Sequence, residues 1–372
     1  MGVDDEKILG ARVREARELA GLTQGELAGR INLDRTAVNK VEAGIRKVTA
    51  LELSDIAAAL GVRMASFFSE PIPALVSHRS AQGLDTADSK IDRLLAQIAS
   101  DVEFVHALGT SELGLPDRIE PLPSPLTMAE AEDLAAQARK MLGLDTKAPV
   151  TELANRVSVL GLLAFSIDLG VDTADAGTIM LGQGAVSLVN SHNKVGRRRL
   201  ALAHELGHFL VADEYTIDWR VSDLHSSDVE CRLDRFARAL LLPEAGLRTA
   251  WSRQTARSPR EIAVVLASEF RVDMATLARR LDELGMVDSA GAAAVRGIRT
   301  TRTDIVEFGL NVPTELEGLT LPLSFQKAVL HAFRQERVSR ERALELLYNT
   351  FDDADLPALR ERREDELWNF VS

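Results

Sequence analysis

The first seventy residues alternate apolar and polar positions at helical spacing in four short runs. These runs cover residues 8–19, 23–31, 34–44 and 49–62. Gly21 and Gly44 favour helix ends, and Thr23 with Glu26 has the spacing of an N-terminal capping box. The apolar positions predicted to be buried in the fourth run are Leu51, Leu53, Ile56 and Leu60. Residues 1–70 are therefore predicted to form a small helical bundle.

Residues 71–127 break this pattern. Prolines gather near both ends of the segment, whereas residues 88–108 again repeat apolar positions along one helical face. That face consists of Ile91, Leu94, Leu95, Ile98, Val102 and Val105. We interpret the segment as a linker with one amphipathic helix, whose apolar stripe packs on a neighbouring domain or, in the alternative, mediates self-association.

Beyond residue 128 the chain mixes helical and strand periodicity. Helical spacing recurs at residues 128–144, 150–161, 197–213, 228–242, 259–269, 273–284 and 324–348. Three short apolar segments, LLAFSID, AGTIML and AVSLVN, predict a small sheet before the third of these helices. We expect a domain at 128–285 and a helical region of unknown role at 286–372. The closing run LWNFVS is interpreted as part of the core or as a docking segment.

The composition of the 372-residue chain is globular, with 46% hydrophobic and 27% charged residues. A formal net charge of -12 disfavours nucleic acid contact except through a local basic patch. The single cysteine, Cys231, excludes an internal disulfide framework. An acidic N-terminus and the lack of an apolar run of about 18 residues argue against a signal peptide or membrane span. We therefore expect a cytoplasmic location and no membrane partner.

The run H-E-L-G-H at residues 204–208 carries the most specific chemistry of the chain. Two histidines four residues apart lie on one face of a helix, so His204 and His208 can both reach one metal ion. Glu205 lies beside them and can take a proton from metal-bound water, whose pKa zinc lowers to about 7. Gly207 leaves space for close approach of another segment. The alternative is an ordinary helix with two exposed or capped histidines.

A catalytic zinc site needs a third protein ligand and one open position, whereas a structural site is closed by four ligands. Glu230 is our candidate, because its spacing from Leu233 puts it on the apolar side of the predicted helix. The competing ligands are Asp228, Asp234 and His225. A surface glutamate favoured by the helix dipole is the alternative role for Glu230. Zinc, one ion per chain, suits this ligand set best, with manganese as the alternative.

Two neighbouring positions have weaker assignments. Tyr215 and His225 are candidates for stabilising the oxyanion of a tetrahedral intermediate. Cys231 is expected to be a small buried residue rather than a redox switch.

A local basic stretch lies within the N-terminal bundle. Between Arg30 and Lys47, five basic residues against two acidic residues leave a net charge of +3. In a helix-turn-helix the second helix enters the major groove of DNA. The predicted base contacts are Arg35, Thr36, Asn39 and Lys40, and the predicted phosphate contacts are Gln24 and Arg46. Binding to an operator would need a homodimer on a two-fold site, and a bundle used for protein contacts is the alternative.

These motifs resemble two known families. Residues 7–68, with GLTQGELAGRINLDRTAVNKVEAGIR and LSDIAAALGV, are similar to the XRE or Cro/repressor-type helix-turn-helix family. Residues from about 128 to 285, with AHELGHFLVA and then ECRLDRFARALLLP, resemble the ImmA/IrrE family of regulatory metallopeptidases. That family joins its H-E-x-x-H helix to a segment of the form Glu-x-x-Ala-Asn-x-Phe-Ala-x-x-Leu-Leu-x-Pro. Leu233 and Asp234 depart from it, standing where alanine and asparagine are usual.

The resemblance implies an α+β, mostly helical fold. A helix-turn-helix bundle would precede a zincin-like peptidase domain with a small β-sheet and helical C-terminal extensions. It also implies Glu230 as the third zinc ligand. The implied function is a DNA-binding zinc endopeptidase, held inactive until a signal arrives, that cleaves a repressor or antitoxin-like partner in a stress response or a toxin-antitoxin pair. The alternative is a repressor or antitoxin whose zinc site is structural, sensory or inactive.

Overall fold

The structure is a computed structural model that describes most of the chain. The described residues are 3–20, 22–60, 62, 64–68, 76–80, 90–116, 120–171, 173–211, 226–254, 257–310 and 313–359. The chain divides into two compact units. Unit 1 comprises Met1–Ala74 and Gln82–Ser100, and unit 2 comprises Leu75–Ala81 and Asp101–Ser372. The chain therefore enters unit 2 briefly, returns to unit 1, and then stays in unit 2.

Unit 1 begins with the predicted helical bundle. Its helices are α1 (Val3–Leu19), α2 (Gln24–Arg30), α3 (Arg35–Glu42) and α4 (Ala50–Leu60). The capping box is present, because the Thr23 hydroxyl accepts from the Glu26 amide and the Glu26 carboxylate accepts from the Thr23 amide. Leu27, Val38 and Ile56 lie in the bundle core. The predicted burial of Leu51 was wrong, since this side chain is 80% exposed on the outer face of α4.

The segment between the bundle and residue 128 contains more structure than the linker interpretation expected. Helix α5 (Lys90–Ala107) is present, and its stripe is buried at Ile91, Leu95, Ile98, Val102 and Val105. Because the stripe is buried within the chain, its burial favours a packing role for this helix over a role in self-association. A strand, β1 (Val76–Ser80), was missed, because VSHRS has one apolar residue and so gives no alternating signal.

The sheet of unit 2 joins β1 to the three predicted strands. These are β2 (Leu162–Ile167), β3 (Ala174–Met180) and β4 (Ala185–Asn190). Within the described residues the strand order is β1-β3-β4-β2. Strand β3 is antiparallel to both β1 and β4, whereas β2 runs parallel to β4. Most residues of β2, β3 and β4 are buried, which explains the short continuous apolar runs in their sequences.

Helices make up the rest of unit 2. They are α6 (Met128–Met141), α7 (Leu153–Val159), α8 (Val195–Leu210), α9 (Ser226–Leu241), α10 (Glu244–Ser252), α11 (Pro259–Phe270), α12 (Met274–Glu283), α13 (Ser289–Arg296), α14 (Arg302–Glu307), α15 (Leu323–Arg334) and α16 (Arg340–Leu346). The described helices include none that is long and apolar enough to span a membrane.

The region after residue 286 packs into unit 2. Thr320 forms a bridge with Ser166 on the edge strand β2, and the Phe325 ring stacks edge-to-face on Phe165 at 5.3 Å between centroids. The helical spacing at 324–348 corresponds to a pair of short helices, α15 and α16, as expected from the turn near Ser339, and Ser339 caps the second helix. These contacts show that α15 closes the core over the sheet. The closing run LWNFVS lies outside the described residues.

Candidate metal centre

Helix α8 places the H-E-L-G-H residues inside unit 2. His204 and Glu205 are 1% and 0% exposed, and His208 is also buried. The two imidazoles lie on one face, with 3.0 Å between their Nε2 atoms. Apolar neighbours such as Leu202 and Leu206 bury the helix on its other sides. The periodicity that predicted a core-anchored helix therefore also fixes the direction of both imidazoles.

Helix α9 crosses α8 at the glycine of the motif. A Cβ atom at Gly207 would lie 3.0 Å from the Phe236 ring and 3.2 Å from Leu233. A contact below about 3.4 Å is tighter than ordinary van der Waals packing, so glycine allows this close approach. The expectation that Gly207 makes room for another segment is confirmed.

The crossing brings Glu230 to the two histidines. One carboxylate oxygen lies 3.0 Å from His204 Nε2, and the other lies 3.5 Å from His208 Nε2. One ligand atom from each of the three residues can be chosen so that all lie within 4.8 Å of one another. Asp228, which competed for this role, is exposed two residues nearer the start of the helix.

Asp234, the other competitor on α9, approaches His204 from the opposite side. Its Oδ1 atom lies 3.1 Å from His204 Nδ1, whereas Glu230 lies beside Nε2. An aspartate in this position can accept the Nδ1 proton and leave Nε2 directed at the cluster. Asp234 stands where the ImmA/IrrE family usually has asparagine. It therefore contacts the ring nitrogen of His204 that faces away from the ligand cluster.

Ion pairs hold Asp234 in place. Its second oxygen lies 3.7 Å from the Arg238 guanidinium, which in turn contacts Glu283 on α12 at 2.8 Å. Glu283 also lies 3.3 Å from Arg235, and Arg235 pairs with Glu132 on α6. Carboxylate and guanidinium groups from three helices thus surround the α9 face next to His204.

Glu205 has a different environment from the three clustered residues. Both carboxylate oxygens are buried, and neither forms a hydrogen bond of good geometry with any described residue. Burial raises the pKa of Glu205, although the nearby Thr178 side chain on β3 and the two histidines oppose the rise. An unpartnered buried carboxylate is costly, so its position beside the cluster points to a role towards a bound ligand.

The electrostatics of the cluster match a site that exchanges protons for a metal. Burial disfavours a charged His204 ring, but the carboxylates of Asp234 and Glu230 outweigh it and raise the pKa of His204 to about 9. Burial likewise opposes ionisation of Glu230, but both histidines outweigh it and hold the pKa of Glu230 well below its usual range. A metal ion that replaced the proton on His204 would lie next to carboxylate groups that are already in place.

The donor set fits a divalent metal of the zinc class. Zinc sites combine imidazole nitrogen and carboxylate oxygen at about 2.0 to 2.2 Å, which puts neighbouring ligand atoms roughly 3.3 Å apart. The observed separations of 3.0 and 3.5 Å agree with that spacing. Glu205 lies beside this cluster and is not one of the three candidate metal ligands.

Three other assignments have separate outcomes. Tyr215 and His225, the oxyanion candidates, lie outside the described residues. Cys231 was expected to be buried, but it is exposed, because it follows Glu230 on α9 and points away from the side that packs on α8.

The candidate DNA-binding face lies on α3 of unit 1. Asp34 caps this helix, and Arg35, Thr36, Asn39 and Lys40 are all exposed on it. Gln24 is engaged within the bundle, since its amide donates to Glu42 at 2.8 Å. Glu42 is also paired with Arg17 at 2.6 Å, and Arg46 is paired with Glu52 at 2.6 Å. The four predicted base contacts are thus exposed, although the Asn39 amide donates to Gln24 at 3.5 Å, and both predicted phosphate contacts have internal partners.

The fold and the candidate metal centre describe a helix-turn-helix unit and a second unit that contains an H-E-x-x-H helix. Comparison with known proteins agrees. Residues 13–67 match a helix-turn-helix family model, and residues 166–282 match the model of the IrrE N-terminal-like domain. The chain is therefore a fusion of an XRE-type helix-turn-helix with an ImmA/IrrE-like domain. This combination supports a regulator that binds DNA and has a link to proteolysis.

A solved structure and the curated sequences add little to this assignment. The crystal structure of ComR from Streptococcus suis is similar over 94% of this chain and 96% of its own, at 12% identity and a TM-score of 0.16. A score that low supports no inference about fold or function. No curated protein sequence matches the chain.

Proposed function

We propose that the chain is a regulatory metallopeptidase, with one zinc ion per chain bound by His204, His208 and Glu230 and with Glu205 as general base. The observation that carries the proposal is the buried, unpartnered Glu205 carboxylate beside a three-residue ligand cluster. A structural metal site has no use for a base at that position. Manganese is the alternative metal for this ligand set.

The residues have distinct tasks in peptide hydrolysis. A bound zinc ion supplies Lewis acidity and lowers the pKa of water. Glu205 would accept the proton of the attacking water on a carboxylate oxygen and pass it to the leaving amine. Its raised pKa, caused first by burial, favours holding that proton between the two steps. Asp234 would keep the Nε2 atom of His204 directed at the ligand cluster.

The fusion supports a proposal for the class of protein that is cleaved. A helix-turn-helix places the peptidase at DNA, so we propose a transcriptional repressor or an antitoxin-like protein as substrate. Residues 1–70 would bind an operator as a homodimer, using Arg35, Asn39 and their exposed neighbours on α3. The same assignment implies a cytoplasmic protein and the domain limits 71–127, 128–285 and 286–372 for the linker, the peptidase and the C-terminal region.

A second function differs only in the metal centre. The chain would be a repressor or antitoxin that keeps its metal for structure or sensing and cuts nothing. The exposed face of α3 supports this function as well as the first. The unpartnered Glu205 favours the peptidase, because a purely structural site would be expected to pair or replace a buried carboxylate.

A peptide library tests the two functions without knowledge of the substrate. Zinc-loaded chain is incubated with peptides derived from a bacterial proteome, and new termini are identified by mass spectrometry. We expect cleavages that disappear with a chelator and with Glu205→Gln. Equal cleavage by wild type and Glu205→Gln, or none by a wild-type chain that holds one zinc, would support the non-catalytic function instead.

A further inference from the structure

A strand from the segment between the helix-turn-helix and the peptidase domain lies at the edge of the peptidase sheet. Strand β1 pairs antiparallel with β3 from Val76, opposite Ile179, to Ser80, opposite Ala174. The chain up to Ala74 and from Gln82 to Ser100 belongs to unit 1, yet Leu75–Ala81, which contains β1, belongs to unit 2. Five residues of the connection thus contribute a strand to the peptidase unit.

Strand β1 lies beside the part of β3 that is next to the candidate general base, Glu205. Helix α8 packs against both β3 and β1. Ser77 is the Cα partner of Thr178, and Thr178 is the β3 residue whose side chain lies close to the Glu205 carboxylate. A backbone segment at the β1 position is therefore one strand away from the residue that must act on a scissile peptide.

Peptidases and peptide-binding domains commonly hold an extended chain by adding it to an exposed sheet edge. Without β1, the outer edge of β3 would present a row of backbone donors and acceptors next to the metal helix. We propose that this edge is the substrate-binding site of the peptidase, and that residues Val76–Ser80 of the chain itself occupy it. The proposal rests on the peptidase function, and it implies that a substrate must displace β1.

The position of β1 in the chain connects the site to the DNA-binding unit. The helical-bundle core, from Leu9 to Phe67, lies wholly before β1 in sequence. A substrate that displaces β1 would release the chain immediately after that bundle. Hydrolysis within β1, in which water adds across one peptide bond, would cut the covalent connection between the bundle and the candidate metal centre at this point of the chain.

Competition by a free peptide tests the proposal independently of catalysis. The probe is a fluorescent peptide of residues 74–82, and the protein is the full chain with Glu205→Gln, so that the peptide stays intact. A tethered strand acts at an effective concentration of millimolar order, so a micromolar peptide should bind this parent chain poorly.

Displacing β1 should open the site. Successive backbone amides in a strand point to opposite sides, so Ser77→Pro with His78→Pro removes at least one amide that faces β3. We expect this variant to bind the peptide at least ~10-fold more tightly than the parent, by release of the tethered competitor. Ser77→Ala with His78→Ala keeps every amide and serves as the matched control, with binding like the parent.

A second variant guards against misfolding by the proline pair. Replacement of residues 76–80 by Gly-Ser-Gly-Ser-Gly keeps the length of the connection and removes strand propensity. Melting temperature and zinc content report whether either variant keeps its fold. Peptide binding that is equal in the parent and in a folded, strand-disrupted variant would overturn the proposal.

Restoring Glu205 in the strand-disrupted variant separates this proposal from the peptidase function. If that zinc-loaded chain cuts the bound peptide, both are supported. If it binds the peptide but never cuts it, the edge of β3 remains a strand-binding site and the peptidase function fails. Cleavage of the wild-type chain itself inside residues 76–80, absent with Glu205→Gln, would also support β1 as the occupant of the substrate position.

Discussion

The two candidate sites of the chain are built in opposite ways. The candidate metal centre on α8 is buried, and ion pairs among α6, α9 and α12 lie beside it on the α9 face next to His204. The DNA face on α3 is exposed, and a single N-terminal cap and the packing of Val38 and Val41 hold the helix in place. Catalysis needs fixed groups in a dry site, whereas DNA recognition needs side chains that can reach base edges. Burial therefore distinguishes the candidate site in one unit, and exposure distinguishes the candidate site in the other.

Removal of the third ligand should have the largest effect. Glu230→Ala takes away the one carboxylate in the cluster, so we expect zinc content to fall from about one ion per chain to near zero, with loss of peptidase activity. Metal analysis of the purified protein measures this. Asp228→Ala, an exposed carboxylate on the same helix, is the matched control and should keep the metal. Full zinc occupancy in Glu230→Ala would show that another residue is the ligand.

Glu205→Gln should separate binding of the metal from catalysis. The amide keeps the shape of the side chain but accepts no proton, so zinc should stay while cleavage falls by about 10²- to 10⁴-fold. Relief of the unpaired buried carboxylate should also leave the melting temperature unchanged or raise it. Glu244→Gln, on the exposed face of α10, is the control for loss of a surface charge. Unchanged cleavage by Glu205→Gln contradicts the assignment of a general base.

Sequence patterns predicted the elements of this comparison unevenly. The helix that carries His204 and Glu205 was predicted correctly because its apolar periodicity and its chemistry coincide. Glu230 could be ranked above Asp228 from the spacing to Leu233 alone. The role of Asp234 could not be predicted from the sequence, because its contact with His204 Nδ1 depends on the crossing of α8 and α9 at Gly207. Strand β1 was also missed, because a strand that gains its stability from pairing with β3 needs no apolar alternation of its own.

The aspartate behind His204 should have an intermediate effect. Loss of the group that orients a metal-binding histidine typically weakens metal affinity by about 10- to 100-fold, and we expect this of Asp234→Ala. Asp234→Asn keeps an acceptor oxygen for the Nδ1 proton and should retain most of the affinity. Competition with a chelator gives the affinity, and the absorption spectrum of the cobalt-substituted protein reports the ligand geometry. Equal affinities for all three proteins would leave Asp234 with a structural role only.

The DNA face should give the smallest single effects, because exposed contacts share the binding energy. We expect Asn39→Ala or Arg35→Ala to cost about 1 to 3 kcal/mol on the preferred sequence and to relax discrimination at one base position. Arg46 is already paired with Glu52, so Arg46→Ala should weaken DNA binding by a smaller, sequence-independent amount, or not at all.

Selection of sites from random DNA by the full chain, followed by titrations at several salt concentrations, measures both the sequence preference and the affinity. Lys7→Ala, an exposed lysine on α1 of the same bundle, is a control for loss of a positive charge that is not on α3. If Asn39→Ala and Arg35→Ala left sequence preference intact while Lys7→Ala altered it, the recognition surface would have to be sought outside α3. The contrast between a buried candidate catalytic centre and an exposed candidate recognition helix would then fail in unit 1 and hold only for the candidate metal centre.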